Sequence, residues 1–303
     1  MANETPSEVE ARRVLDVWNV LRPPLRPSAD DVAWFARSIH PGEGLRILIQ
    51  GATPELVDVA VREKASRVLS MDWHEPRFRA MQKLGSEDWR NVEYLPNDWR
   101  IFVPKLEGSL DVVLGDGSLT MLAFPSEWEK VLKDVHRYLV PAGRLILRLP
   151  FQPEEPFDLD LYMKGMLLRF DADCVGADSV KRFTLLRNII SEFRIAFGLA
   201  SAGADGVVDL SRRAELVDFF HAEFDSRCGQ WEEWKAARGA MPTRAEILGQ
   251  TNKLAGRAFP FWQPVVDLVQ ECGFNVTQSK WSGTRPAPGV MRFMLADRQE
   301  NAD

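Results

Sequence analysis

Cysteine is scarce in this chain, and Cys174, Cys228 and Cys272 stand far apart and odd in number. Neither a disulfide framework nor a CxxC metal site is in prospect, and reduced, buried thiols are the expectation. His40, His74, His136 and His221 are scattered with no i, i+4 pair, so no metal is assigned. A basic excess is missing too. Lys and Arg number 38 against 44 Asp and Glu, a net charge of -6, which argues against a broad nucleic-acid surface while leaving a local basic patch open. The first residues are polar and acidic, without the basic start and apolar run of a signal peptide, and no stretch approaches a membrane span. A soluble, cytoplasmic protein with no membrane partner is expected. Gly-x-Ser-x-Gly and Gly-x-x-x-x-Gly-Lys-Ser/Thr are absent, which removes the support for a nucleophile elbow or a P-loop.

What is present can build a large core. With 303 residues and 45% hydrophobic composition, the chain can bury one core, or one core plus a smaller helical appendage. The organising stretch is residues 45–55. Ile47, Leu48 and Ile49 read as a strand covered on both faces of a parallel sheet, bounded by Gly44 and Gly51. A helix begins at once, where Thr53 can cap, Pro54 suits the first position and Glu55 complements the macrodipole. Gly-x-Gly-x-x-Gly is not supplied there, which disfavours a nicotinamide cofactor.

The same alternation repeats downstream. Residues 54–64 read as helix, 67–72 as strand, 75–84 as helix, 91–96 and 110–115 as strands, 126–140 as helix and 144–149 as strand. Before it, residues 7–40 read as two helices parted by a Pro-rich stretch, residues 21–27, with Ser28 capping the second. Val14, Trp18 and Leu21 share one face of the first, and Val32, Phe35 and Ile39 one face of the second. These helices either pack on the sheet or form a lid. Residues 151–259 hold no convincing strand but several helical stretches, including 181–197, 211–224 and 243–254, with the small residues 201–206 as a mobile link. A helix at 262–272 ending at Gly273 then leads to strands at 275–281 and 290–296, antiparallel because only residues 283–289 separate them.

Five α/β units, then a helix, a strand and an antiparallel last strand, resemble the class I S-adenosylmethionine-dependent methyltransferases over residues 45–149 and 261–297. The resemblance implies an α/β, doubly wound, mostly parallel seven-stranded sheet. It gives an N-terminal helical lid (1–44), an S-adenosylmethionine-binding core (45–150), a helical cap insertion (151–260) and the end of the core (261–303). In that family a glycine-rich loop after the first strand lies under the cofactor's methionine part; here Gly51, Ala52 and Thr53 occupy it. Ile49 stands where the family has an acid, and only the first glycine is kept. Asp72, ending the second strand, can accept both ribose hydroxyls, although an aspartate there can also cap the next helix. Trp73 either lies against adenine or packs in the core.

After the third strand, Asn97, Asp98 and Trp99 stand where the family often reads the adenine amine, Asp98 being the expected contact and a plain polar turn the alternative. Gly115, Asp116 and Gly117 leave the fourth strand at the ligand edge. Asp116 is the catalytic candidate, holding the amino acid end of the cofactor or taking a proton, unless it is only an Asp-Gly turn. The family's short turn before the fifth strand is matched by Pro141-Ala142-Gly143. The resemblance thus implies a methyltransferase acting on a small molecule. Two alternatives stay open: a methyltransferase-like enzyme that cyclises or lyses S-adenosylmethionine to azetidine-2-carboxylate and methylthioadenosine, and a noncatalytic binding module.

Overall fold

The computed structural model describes residues 14–15, 18–19, 21–23, 25–39, 44–154, 158–203, 205–209, 211, 213–235, 258–282 and 291–299. Its strands are β1 (Arg46–Gln50), β2 (Arg67–Met71), β3 (Val92–Leu95), β4 (Leu110–Asp116), β5 (Leu139–Pro150), β6 (Phe274–Trp281) and β7 (Met291–Arg298). They form one seven-stranded sheet in the order β3-β2-β1-β4-β5-β7-β6. β1 to β5 pair in parallel, while β7 runs antiparallel to both β5 and β6. The helices are α1 (Ala29–Ser38), α2 (Pro54–Arg62), α3 (Glu75–Gln82), α4 (Ser126–Tyr138), α5 (Leu159–Cys174), α6 (Ser179–Ala200), α7 (Arg213–Cys228) and α8 (Trp262–Glu271).

Strand side chains alternate between faces, and in the central strands both faces are apolar because both are covered. On one face Ile47, Ile49, Val112, Leu114 and Ile146 pack with Phe35 of α1, Leu56 and Val57 of α2, and Phe293 and Leu295 of β7. On the other, Leu48, Val113, Leu145, Leu147 and Leu149 meet Trp128, Val131 and Val135 of α4 and Val265 and Val269 of α8. A third apolar cluster joins Met166 and Phe170 of α5, Leu186 and Phe193 of α6, Phe224 of α7 and Trp234. The insertion after β5 therefore has its own core. Among its described residues it holds no strand, only the bridges Ala202↔Val208 and Val207↔Ala258.

Ser28 caps α1 as expected and forms a full capping box, its hydroxyl accepting from Asp31 N while Asp31 Oδ2 accepts from Ser28 N. Val14 and Trp18 pack against the sheet face that α1 and α2 cover. Several expectations are corrected. β5 begins earlier than residue 144: Leu139 already pairs with Leu110, after which Val112 pairs with Arg144. Pro141-Ala142-Gly143 is therefore a bulge inside the strand, made possible by the left-handed backbone of Ala142 (φ 59). α5 is an additional helix that the sequence pattern does not announce. Beside the expected link at 201–206, Phe259 N donates to Gly206 O and Gly203 N to Val207 O. The helix at 243–254 and the loop at 283–289 lie outside the described residues, as do His40 and most of the first N-terminal stretch.

One buried carboxylate sets the approach to β3. Asp58 of α2 accepts from Ser86 N (2.7 Å), Ser86 Oγ (2.8 Å), Glu87 N (3.2 Å) and Trp89 Nε1 (2.7 Å), fixing the connection from α3. Asp58→Ala should lower the free energy of unfolding in denaturant by about 3 kcal/mol, since the Trp89 indole would be left buried without an acceptor. An unchanged denaturation midpoint would show that the carboxylate contributes nothing to this connection.

Candidate cofactor site

In this strand order the chain moves outward in one direction from β1 and in the other from β4, so the crevice of a doubly wound sheet lies beyond their carboxyl ends. Gly51 turns the chain out of β1 with φ +97, a conformation that favours glycine. Its N–H donates to Met71 O (2.8 Å) and its carbonyl accepts from Ser70 Oγ (2.7 Å), which ties the loop to the end of β2. Ala52 and Thr53 come next, both buried. Thr53 is the N-cap residue of α2, yet its hydroxyl makes no capping bond, contrary to the expectation from sequence. Glu55 in the first turn is not free to complement the dipole alone, because Arg26 Nε binds its Oε1 at 2.8 Å.

Asp72 is 3% exposed at the end of β2. Its Oδ1 accepts from His74 N (2.9 Å) and its Oδ2 lies 3.7 Å from Arg77 Nη1. The helix-capping alternative fails, since His74 caps α3 by accepting from Arg77 N through Nδ1. Trp73 is 68% exposed, so it does not pack in the core. Its ring makes a T-shaped contact with His74, and most of the indole stands exposed at the end of β2.

The segment after β3 departs from expectation. Asn97 Nδ2 donates to Asp98 O and Ile101 O, both at 2.8 Å, and so closes its own turn. Asp98 holds Arg100 through Nε (3.0 Å) and Nη2 (2.6 Å), and Arg100 Nη1 also reaches Glu127 (2.9 Å). The hydrogen bonds from Arg100 hold the Asp98 carboxyl below its ordinary range. This carboxylate anchors the turn while its side chain stays 30% exposed. Trp99 turns inward: its Nε1 donates to Met71 O at 2.7 Å, and its Cζ2 stands 3.6 Å from where a Gly51 Cβ would be. It covers the turn after β1.

Gly115 and Asp116 close the other side. A Cβ on Gly115 would lie 2.6 Å from Ser118 Oγ and 2.7 Å from Leu147 Cδ2, so this glycine serves internal packing and not the approach of a ligand. Ser118 Oγ in turn donates to Gln50 Oε1 (3.0 Å), joining the ends of β1 and β4. Gly117, at φ +64, has open space where its Cβ would stand. Asp116 Oδ1 accepts from Arg148 Nε at 2.7 Å, and Arg148 Nη1 lies 3.4 Å from Asp31 Oδ2. Asp31 Oδ1 also accepts from Ser282 Oγ (2.8 Å). The side chains of Arg148, Asp31 and Asp116 are 1%, 2% and 5% exposed. Asp116 is thus a buried counter-ion and not a bare Asp-Gly turn. Sequence reading missed Arg148, Asp31 and Ser282, although a lone arginine in the aliphatic run of β5 signals a buried carboxylate partner.

No family model matches the chain, and neither does any curated sequence. Solved structures do. One is the N-methyltransferase NodS from Bradyrhizobium japonicum in complex with S-adenosyl-L-homocysteine, at 9% identity over 98% of this chain and 100% of that one, TM-score 0.51. The fold is that of the class I methyltransferases. A complex of the Haloferax volcanii Trm112 methyltransferase activator with its methyltransferase matches at 9% identity, 99% and 100% coverage and TM-score 0.51. A protein from Rhodobacter sphaeroides that carries the name of a Zn-dependent alcohol dehydrogenase matches at 18% identity, 98% and 100% coverage and TM-score 0.53. Among the described residues of this chain, no three His, Cys, Asp or Glu side chains gather as a metal site.

The buried cluster carries the prediction here. Arg148→Met leaves Asp31 and Asp116 without their shared cation and should destabilise the protein by about 3–5 kcal/mol. Asp116→Asn, which keeps an acceptor for Arg148, should cost less. Equilibrium unfolding in urea checks both, and equal stabilities for the two variants would contradict a charge-paired cluster.

Proposed function

We propose that the chain is an S-adenosylmethionine-dependent methyltransferase acting on a small molecule. The observation that carries this reading is Asp72, an almost fully buried carboxylate at the end of β2, between the Gly51 turn and the exposed face of Trp73. A carboxylate there suits a ribose diol, and a bare indole beside it suits a purine. The α2 N-terminus has no side-chain cap, so its amides and dipole can meet the carboxylate of an amino acid. The residues present therefore fit S-adenosylmethionine, which when bound supplies a methyl group on a sulfonium.

The chain's own part is alignment and dryness, since methyl transfer needs mainly a nucleophile placed in line and water excluded. Asp116 contributes by position: Arg148 holds its charge, so it is not offered as a free base. Residues 151–260 serve as a cap that selects the substrate, while α1 packs on the sheet and is tied to its carboxyl edge through Asp31. The separate core of the insertion supports the cap assignment. The net charge of -6 favours a small acceptor over nucleic acid.

A second reading, a noncatalytic binding module, draws support from Asp98 and Asp116, both of which are already paired with arginines. Product analysis separates the readings. Adenosylhomocysteine formed with cell extract supports methyl transfer, and methylthioadenosine formed from cofactor alone replaces it with cyclisation or lysis. No turnover with binding retained leaves the module.

Calorimetry with S-adenosylmethionine and adenosylhomocysteine tests the site directly. Asp72→Ala should weaken binding by about 1.5–3 kcal/mol through the loss of charge-assisted hydrogen bonds. Unchanged affinity in a folded variant would sink the assignment. Trp99 adds a second outcome. Its indole must leave Met71 O and Gly51 before a nucleoside reaches that turn, so Trp99→Ala should tighten binding by about 1 kcal/mol, the value of one such hydrogen bond. Weaker binding by Trp99→Ala would instead make the indole a wall of the site.

A further inference from the structure

Arg292 stands on β7 opposite Leu149 of β5 and Trp281 of β6, at the sheet edge where β5 and β6 end. Its guanidinium carbon is 3.7 Å from the ring centroid of Trp262 and 4.9 Å from that of Trp281. Trp262 is itself held edge-on by buried Phe151, with centroids 5.1 Å apart. Two indoles thus lie within cation–π range of one guanidinium.

Those donors are underused. Nη2 donates to Ser279 Oγ at 3.0 Å, while Nε is buried with no acceptor. No carboxylate lies within ion-pair distance among the described residues, whereas Arg26 pairs with Glu55, Arg46 with Asp111, Arg144 with Asp297 and Arg148 with Asp116. Burial pushes the Arg292 guanidinium below its ordinary value, and the distant field of exposed Glu154 acts against that shift. The side chain as a whole is half-buried, and a buried N–H without an acceptor is costly unless a partner arrives.

A second, independent feature points the same way. Trp262 is the first residue of α8, whose N-cap, Phe261, offers no side-chain bond and whose first turn has no acidic residue. The positive end of the helix therefore adds to the field of Arg292 and is not answered by an acid of this chain. We infer that Arg292, framed by Trp262 and Trp281 at the start of α8, is an oxyanion-recognition site that takes a carboxylate or phosphate group of a small molecule. The bidentate fork of a guanidinium matches either group. The site goes beyond the cofactor reading, since it shares none of Gly51, Asp72 or Asp116.

Nuclear magnetic resonance on the whole chain tests it, following the Arg292 Nε–H and the Trp262 and Trp281 indole N–H signals during titration with inorganic phosphate and, separately, acetate, at constant ionic strength set with chloride. Saturable shifts of these signals are expected, and whichever probe binds more tightly names the source of the oxyanion. Arg292→Gln should lose at least tenfold in affinity, and Arg292→Lys, which keeps charge but loses the fork, should lie between it and the parent. If Arg292→Gln does not fold, the lysine variant at native thermal midpoint decides alone. Shifts that do not saturate, or affinities equal in all three proteins, overturn the site. Asp72→Ala should leave this binding intact, so failure of the cofactor reading and failure of the oxyanion site are separately visible.

Discussion

A guanidinium 1% exposed inside an α/β sheet is tolerable only if carboxylates meet it, and Arg148 is met from two directions. Asp116 answers from the neighbouring strand at the same register position, and Asp31 from the first turn of α1. The second answer has wide consequences. It places the start of α1 over the carboxyl edge of the sheet, where Phe35 and Trp34 then find Phe293 of β7. Asp31 also receives Ser282, so the residue directly after β6 is drawn to the same point. One charge therefore gathers the N-terminal segment, the centre of the sheet and its last hairpin around the mouth of the crevice.

That arrangement explains which parts of the molecule were legible in the sequence. β1, β2 and β4 read correctly because their residues are buried on both faces, and a parallel sheet permits nothing but short aliphatic runs there. α1 was legible from Ser28 because a capping box is local, its two partners lying three residues apart. α5 escaped because its apolar positions do not form a single stripe: Leu161 and Leu168 are exposed while Met163, Met166 and Leu167 are buried within the insertion's own core. The early start of β5 escaped for a different reason. Proline and glycine at positions 141 and 143 signal a break, and only the pairing of Leu139 with Leu110 shows that the strand continues across it.

The site divides along the same line. Positions set by the backbone, Gly51 and Asp72, fall where strand ends put them. Roles set by side chains from elsewhere could not be read locally. Asp116 looked like a free acid, but its arginine lies on the adjacent strand. Thr53 looked like a cap, yet with its backbone at ψ 113 the helix starts without it. Gly115, at the ligand edge by its position, has Ser118 and Leu147 packed where a Cβ would stand. Sequence position located the crevice, and long-range pairing decided which of its polar groups remain unspent.

Trp99 completes these pairings on the β2 side of the crevice. Met71 O accepts from both Gly51 N and the Trp99 indole, so the end of β2 has no carbonyl capacity left for an incoming group at that point. The indole also supplies an apolar cover for a glycine turn that would otherwise expose backbone to water. Such a cover stabilises the apo crevice by roughly one hydrogen bond and some apolar contact, a few kcal/mol at most. A ligand that offers its own apolar face and its own polar partners can replace both contributions, whereas water can replace only one. One carbonyl shared between two donors therefore ties the end of β2 to both the glycine turn and the indole that covers it. Trp73, just beyond the end of the same strand, has no such cover and is exposed.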